Sequence, residues 1–469
     1  MAKVLLVEPN DDLKNKDAMK DRLNTPMNLV CIGTVIEDKH EVKIYDRNLH
    51  PDDEEYIKLL KKYEPDIIGL TTMTTPMLHD LIHLGELTKK VYSKGILIVG
   101  GIHALNEPES LLKKPYIDYI LRGEGEESFV EFCDTFDKNP KRLGKLKNIN
   151  MNPLRPFVDL AKVKMPNYGL LELKKYDHTY LMFSRGCTGN CTFCGSTRNW
   201  GIKGKPCVRS YGTKQIIKFF ENLIEGYNIK TFSIVDDNFV ANKPQAMEIC
   251  EYLKGKGVHF FCFARADEID DEVLKALKEA GCHTIQFGFE SGSQRILNFL
   301  AKQTTVQQNI DAIKSCQKYG ITCDASFMTG IPTETLEELN MTLNFIKKYK
   351  PDIPNAKIYL PLSGTPLFDY CVSKGLITKP TELEEWVNWA GNQLALRVKH
   401  KVNDIPEKEL VKITQKIIGS GFHKNKLKRL RYWLSVGDYK YILKSAKRFF
   451  IWRGKLVLPF IGMKSLKNK

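Results

Sequence analysis

Cys187, Cys191 and Cys194 stand in the run Arg-Gly-Cys-Thr-Gly-Asn-Cys-Thr-Phe-Cys-Gly, three thiols within eight residues. The run follows directly on the apolar stretch Tyr180-Leu181-Met182-Phe183. Three closely spaced thiolates on a short loop can hold three irons of a 4Fe–4S cube and leave the fourth iron open. An open iron lets a cluster bind and reduce a small molecule rather than only pass electrons. A structural zinc instead wants four ligands, usually two Cys pairs, and only Cys207 lies nearby as a fourth. A disulfide framework does not suit the chain. Met1-Ala2-Lys3 runs straight into a strand-like Val4-Leu5-Leu6-Val7 with no secretory leader, so a cytoplasmic, reducing setting is expected. Twelve cysteines in 469 residues are sparse, and most of the others sit among apolar neighbours, as small buried hydrophobes do.

The spacing Cys-x3-Cys-x2-Cys, with the aromatic Phe193 just before the last Cys, resembles the radical S-adenosylmethionine (SAM) family. The resemblance implies that SAM binds at the open iron and is cleaved reductively to methionine and a 5′-deoxyadenosyl radical. Several phrases downstream match the same superfamily and lie after successive strand-like runs. Asp236 and Asp237 stand where family members place polar contacts to SAM or substrate. Arg265 has the guanidinium fork that suits a methionine carboxylate. Glu290 can accept hydrogen bonds from ribose hydroxyls or an ammonium group, and Gly330-Ile331-Pro332 offers backbone to lie against adenine. Asp236-Asp237-Asn238 could equally cap the helix that follows.

The elements that must position these residues fall into repeating units. Apolar runs at 4–7, 40–45, 67–71, 96–99 and 119–121 alternate with amphipathic segments such as 51–63 and 77–92. That alternation predicts an α/β fold, a doubly wound parallel sheet of Rossmann-like form over residues 1–150. Pro153, Pro156 and Pro166 punctuate a linker at 151–175. Strands expected at 180–183, 231–235, 260–264, 284–289, 323–329 and 357–360, with helices between them, predict a partial (β/α)6 barrel over 176–395. A barrel of this kind presents its chemistry at the carboxyl rim of its strands.

Ligands on an open parallel sheet also collect at the carboxyl ends of the strands. Three first-domain loops qualify: Thr71-Thr72-Met73-Thr74, Gly100-Gly101-Ile102-His103 and Gly123-Glu124-Gly125-Glu126. Their order and positions resemble the cobalamin-binding domain that precedes many radical SAM domains. The resemblance implies cobalamin contacts from Thr71, Thr72, Gly100, Gly101, His103, Gly123 and Glu124. Simple turn chemistry would also place glycines in such loops. The Asp-x-His-x-x-Gly motif that supplies a lower cobalt ligand in some cobalamin proteins is absent, since Asp46-Arg47-Asn48-Leu49-His50 does not fit it.

Charge is distributed unevenly. The chain carries a net +15, yet residues 397–469 hold 20 Lys or Arg against 4 Asp or Glu, so this tail supplies the whole excess. Residues 396–469 read as basic and helical, with helices expected at 407–420, 426–434 and 439–452. Basic residues beside Phe449, Phe450, Ile451 and Trp452 suit peripheral contact with an anionic membrane, although a helix packed on the barrel would share this composition. Nucleic acid is the less expected partner, because the first half offers only Cys31 and Cys133 where a tRNA methylthiotransferase needs a second cysteine cluster. The resemblance thus implies a cobalamin-dependent enzyme that methylates an unactivated carbon of a small-molecule or lipid substrate, with a flavodoxin- or ferredoxin-type electron donor. A cyclase using the same cofactors, or a non-catalytic sensor, would share these features.

Overall fold

The computed structural model describes residues 1–11, 23–201, 205–389 and 398–421. The first sheet consists of β1 (Lys3–Glu8), β2 (Glu41–Asp46), β3 (Ile67–Thr71), β4 (Ile96–Gly100) and β5 (Tyr119–Ile120). Its order is β2-β1-β3-β4-β5 with every pairing parallel. β3 is buried along its whole length, as a central strand covered on both faces must be. The helices Met27–Ile36 and Glu126–Lys138 pack on each other across one face, and Asp53–Tyr63 and Met77–Val91 lie in the sequence between the strands of the other half. Asp52 caps the helix Asp53–Tyr63 by accepting a hydrogen bond from Glu54 N. Acidic residues fill its first turn and Lys61 and Lys62 its last, which complements the helix dipole. The strand order reverses between β1 and β3, so their carboxyl ends open onto a crevice.

The linker is ordered by short turns, Leu160–Lys162, Tyr168–Leu170 and Leu173–Lys175. Tyr168 is buried there and packs on Phe219 of the following domain, with ring centroids 6.0 Å apart.

The second sheet runs β6 (Thr179–Leu181), β9 (Thr231–Ile234), β10 (His259–Ala264), β11 (Cys282–Glu290), β12 (Thr322–Thr329) and β13 (Ile353–Ile358), all parallel and in that spatial order. A short antiparallel pair, β7 (Ser184–Arg185) with β8 (Arg209–Ser210), interrupts the series just after β6. Helices Thr213–Glu221, Lys243–Leu253, Asp271–Glu279, Val306–Tyr319 and Leu336–Tyr349 alternate with the strands. The last strand begins four residues earlier than the expected 357–360. β13 pairs Ile353 through Ile358 with Asp324 through Thr329, and its inward residues are Pro354 and Ala356 rather than a run of large aliphatics.

The far edge of this sheet is covered by the helix Glu407–Ser420, which packs on β13 and on Leu336–Tyr349. Its Leu410, Ile413 and Ile417 join the barrel core, and Thr414 Oγ1 lies 2.8 Å from Thr329 Oγ1. This helix belongs to the basic region 396–469, and of its two readings, membrane contact or packing on the barrel, its contacts are those of a helix packed on the barrel. The helices expected at 426–434 and 439–452 lie outside the described residues. Among the described residues no helix is long and apolar enough to cross a membrane.

A single apolar cluster spans both domains. It joins Leu70, Leu78 and Leu81 of the first to Ile331, Phe368, Trp386 and Trp389 of the second. The helix Leu383–Trp389 packs directly on Met77–Val91, flanked by ion pairs from Lys113 to Glu382 and from Lys114 to Glu384. The two domains therefore have one continuous interior.

Candidate functional site

The three cysteines occupy the loop between β7 and the helix Gly195–Trp200, at the carboxyl edge of the barrel. Two neighbouring acids anchor it. Asp236 is fully buried and accepts from Phe183 N at 2.8 Å and from Ser184 Oγ at 2.5 Å. Burial pushes its carboxyl up to about 7, against the opposing pull of those hydrogen bonds. Asp237 accepts from Gly186 N at 3.1 Å and Ser196 Oγ at 2.8 Å, so it ties the loop's start to its end. Gly186 has φ +92°, and a Cβ there would overlap the Cys207 carbonyl oxygen. No other residue type fits that entry to the loop.

The sulfurs themselves meet donors and cations. Cys187 Sγ accepts from Gly189 N at 3.5 Å and Cys194 Sγ from Ser196 N at 3.4 Å. Burial pushes the Cys194 thiol up to about 12, so metal binding would have to displace its proton. Burial also raises Cys191, while the neighbouring Lys302 and Arg265 cations oppose the rise. Among the described residues no three His, Cys, Asp or Glu side chains converge on a point, as a single metal ion would require. The corners of an iron–sulfur cube lie further apart than the ligands of one ion, and three thiols on one glycine-containing loop beside two cations suit that larger, anionic group. Cys207 serves the loop through its backbone carbonyl, packed against Gly186.

Inside the barrel, Arg265 Nη2 donates to Asp267 at 2.8 Å and to Lys302 O at 3.1 Å. Its Nη1 presses so closely on Gly189 that no side chain fits between them, and its buried Nε lies 3.6 Å from Glu268 Oε1. Glu290 sits at a bulge in β11 with φ +60° and accepts from Lys302 Nζ at 3.0 Å. Lys302 is itself buried. Burial works to neutralise it, and Glu290 and Cys191 outweigh that effect and hold it charged. Its ammonium lies 6.0 Å from the Phe193 ring centroid. Arg265, Glu290, Lys302 and Phe193 thus surround the cluster loop with both signs of charge. Sequence reasoning missed Lys302, which stands in a loop after the helix Gln294–Phe299 and belongs to no motif.

Gly330 N donates to Glu334 Oε2 at 2.6 Å, and a Cβ on Gly330 would lie 2.8 Å from Leu410. Burial pushes Glu334 up to about 8. The Gly-Ile-Pro turn is therefore braced from within by a carboxylic acid and from outside by the helix Glu407–Ser420.

Across from the cluster loop, the strand ends of the first sheet open into a cleft of about 210 Å³. Thr71, Gly100, Gly101, Gly123 and Glu124 line one side, and Met182, Arg185 and Trp200 of the barrel line the other. A Cβ at Gly100 would meet only Leu121 O at 3.8 Å, and one at Gly123 only Asn148 Nδ2 at 3.5 Å. Side chains at these positions would project into the cleft, so the glycines keep open the space a flat macrocycle needs. The site residues fit cobalamin in that respect.

Two residues expected at this cleft turn elsewhere. Thr72 Oγ1 donates to Gly100 O at 2.6 Å, holding the two loops together. His103 is a half-buried ring with Nε2 3.0 Å from Ser110 Oγ and its edge on Trp386. Burial pushes it down to about 4, so it is neutral near pH 7. Glu124 commits both carboxylate oxygens to Arg185, Arg209 and Val158 N. Arg185 also pairs with the buried Glu126, which makes a closed ion network between the domains. His50, from the segment that lacks the cobalt-ligand motif, stacks on Tyr45 with centroids 5.6 Å apart.

Comparison with known proteins adds to this geometry. Residues 23–133 match the family profile of the B12 binding domain, and residues 181–346 match the Radical SAM superfamily. An uncharacterized methyltransferase of Pyrococcus horikoshii is 34% identical over 398 residues, 80% of this chain and 84% of that one. An anaerobic magnesium-protoporphyrin IX monomethyl ester cyclase of Rubrivivax gelatinosus is 28% identical over 331 residues, 65% of this chain and 58% of its own length. A cytidylyl-2-hydroxyethylphosphonate methyltransferase of Streptomyces wedmorensis is 24% identical over 449 residues, covering 80% and 82%. Among solved structures, the radical SAM methyltransferase TsrM of Kitasatospora setae, with cobalamin and a 4Fe–4S cluster bound, superposes with a TM-score of 0.67 at 18% identity, covering 81% of this chain and 76% of that one. The cobalamin-dependent enzyme OxsB superposes with a TM-score of 0.64 at 21% identity, covering 82% and 56%. At these identities the structural likeness speaks for the fold.

Proposed function

Because the chain belongs to the radical SAM family in its form with an N-terminal B12-binding domain, we propose that it is a cobalamin-dependent methyltransferase acting on an unactivated carbon of a small molecule. The observation that carries this reading is the convergence of both sheets on one cleft. The carboxyl ends of β3, β4 and β5 face Met182 and Arg185, which lead into the cysteine loop. A macrocycle seated on the first sheet would therefore look directly at the barrel rim.

When bound, the cluster supplies the electron for reductive cleavage of SAM, and cobalamin supplies a carrier for the methyl group. The chain's own residues bind and orient. Cys187, Cys191 and Cys194 would hold the cluster. Arg265 and the Glu290–Lys302 pair would grip the carboxylate and ammonium ends of the methionine moiety. The Gly330 turn would lie against adenine. Asp236 and Asp237 anchor the loop through hydrogen bonds to Phe183, Ser184, Gly186 and Ser196. The shared apolar interior keeps water away from the reacting groups.

Protein purified anaerobically with hydroxocobalamin should show cobalt bands above the iron–sulfur absorption, and should form 5′-deoxyadenosine from SAM and reductant. Absence of cobalamin uptake, or zinc in place of iron, would sink the reading. The identity with the protoporphyrin ester cyclase favours a second reading, ring formation without methyl transfer. Retention of label from methyl-deuterated SAM in the product separates the two. A lipid substrate and peripheral membrane contact are proposed on the basic composition of residues 396–469, and a flavodoxin- or ferredoxin-type donor is the proposed electron source. Liposome flotation with and without residues after Lys440 tests the membrane contact.

A further inference from the structure

A second cleft of about 470 Å³ lies between the domains and shares Leu105, Gly123 and Glu124 with the first. That volume is in the range of small-ligand sites. Its lining carries charges of both signs, but most of them are already paired. Glu124 is held by Arg185 and Arg209, Glu107 by Lys379 at 3.0 Å, and Arg155 by Glu131. Glu109 and Asp369 also line it, and both are exposed to water, which screens them.

Two guanidiniums remain. Arg122 follows β5, and its side chain has no hydrogen-bond or ion-pair partner among the described residues; its Nε is buried and without an acceptor. Arg198 lies on the helix Gly195–Trp200, directly after the third cysteine, and is likewise without an acidic partner among the described residues. Beside it Asn199 is 92% buried (8% exposed), and its Oδ1 has no partner. A buried donor left without an acceptor is costly, and so is a buried acceptor without a donor. An oxyanion accepts from planar guanidinium forks and from an amide NH2, so it would answer Arg122 and Arg198. Asn199 Oδ1 is itself an acceptor, and a protonated oxygen of the same group would donate to it.

We propose that this cleft seats an oxyanion of the substrate, a phosphate, phosphonate or carboxylate, between Arg122 of the first domain and Arg198 with Asn199 of the cluster-loop helix. The proposal rests on the methyl-transfer reading, because it takes the substrate to lie between the two domains. Anchoring from both domains would fix the reacting carbon relative to the cluster loop, since Arg198 is only four residues from Cys194.

The test uses the full chain reconstituted with its cluster and hydroxocobalamin. Isothermal titration calorimetry with methylphosphonate, and separately with acetate, should show saturable one-site binding for at least one probe. Arg122→Gln and Arg198→Gln should each weaken it tenfold or more, and Arg122→Lys should weaken it less than Arg122→Gln. Arg198 is exposed, so Arg198→Gln reports on the site even if the Arg122 variants fold poorly. No saturable binding of either probe, or affinity unchanged in Arg198→Gln, overturns the proposal. Loss of the cobalt bands from Arg122→Gln together with its anion binding also overturns it, because the anion would then be cobalamin's own phosphodiester. Failure of the methyl-transfer reading shows separately, as wild-type protein that takes up no cobalamin or cleaves no SAM.

Discussion

At the scale of single residues, the cluster loop depends on groups that never touch the metal. Gly186 is the sharpest case. Its φ of +92° and the Cys207 carbonyl behind it leave no room for a methyl group. Gly186→Ala should cost about 1–3 kcal/mol of stability from backbone strain and shift the loop. Iron content per chain should fall while the cysteines remain present, and unchanged iron would show that the loop adapts freely. Asp236 gives a pH signature. Its carboxyl is raised to about 7 in the fold, from an ordinary value of 3.8. Between those values the folded state keeps a proton that the unfolded state has lost, so this group's contribution to stability declines as pH rises from about 4 to about 7. Asp236→Asn keeps an acceptor for Phe183 N and removes the titration. Its melting temperature should therefore vary less across that window than the wild-type value. A difference between the two that does not change with pH would contradict the assignment.

At the scale of elements, the strand at 67–71 was legible to the residue because five consecutive buried positions bear Ile, Ile, Gly, Leu and Thr with no polar interruption. β13 was read late because Asn355 and Lys357 break its apolar pattern and its inward residues are small. The helix Glu407–Ser420 was read with correct bounds but attached to a basic tail. Summing charge over residues 397–469 hid the stripe of Leu410, Ile413 and Ile417, whose helical spacing marks a packed face. Ile417 is fully buried, so Ile417→Ala should destabilise the barrel by about 2–5 kcal/mol in chemical denaturation. A loss under about 0.5 kcal/mol, typical of a surface position, would return this helix to the tail. The cysteine loop and the place of Arg265 beside it were legible because both lie in local motifs. Lys302, Arg122 and Arg185 were not, because their roles are set by what the fold brings near them.

At the scale of the whole molecule, a cleft with ligands on both walls works only if the walls keep their spacing. The shared apolar cluster sets the distance on one side, through Trp386 and Leu81. On the other side the spacing rests on Arg185, which reaches from β7 to Glu124 and Glu126 at the end of the first sheet. Glu126 is fully buried and its carboxyl is held below the usual range by Arg185 and its own hydrogen bonds, against the effect of burial. Removing one member of such a network leaves a buried charge short of a partner. Glu126→Gln should therefore cost about 3–5 kcal/mol, whereas replacing the whole network by apolar groups would cost less. The damage should localise to the interface. Limited proteolysis should begin at the linker between 151 and 175, and cobalamin should be retained less well, while iron content stays near the wild-type value because the cysteine loop is anchored from Asp236 and Asp237 instead. Equal loss of iron and cobalamin would mean that the network holds the barrel itself, and the division of labour between the two anchors would fall.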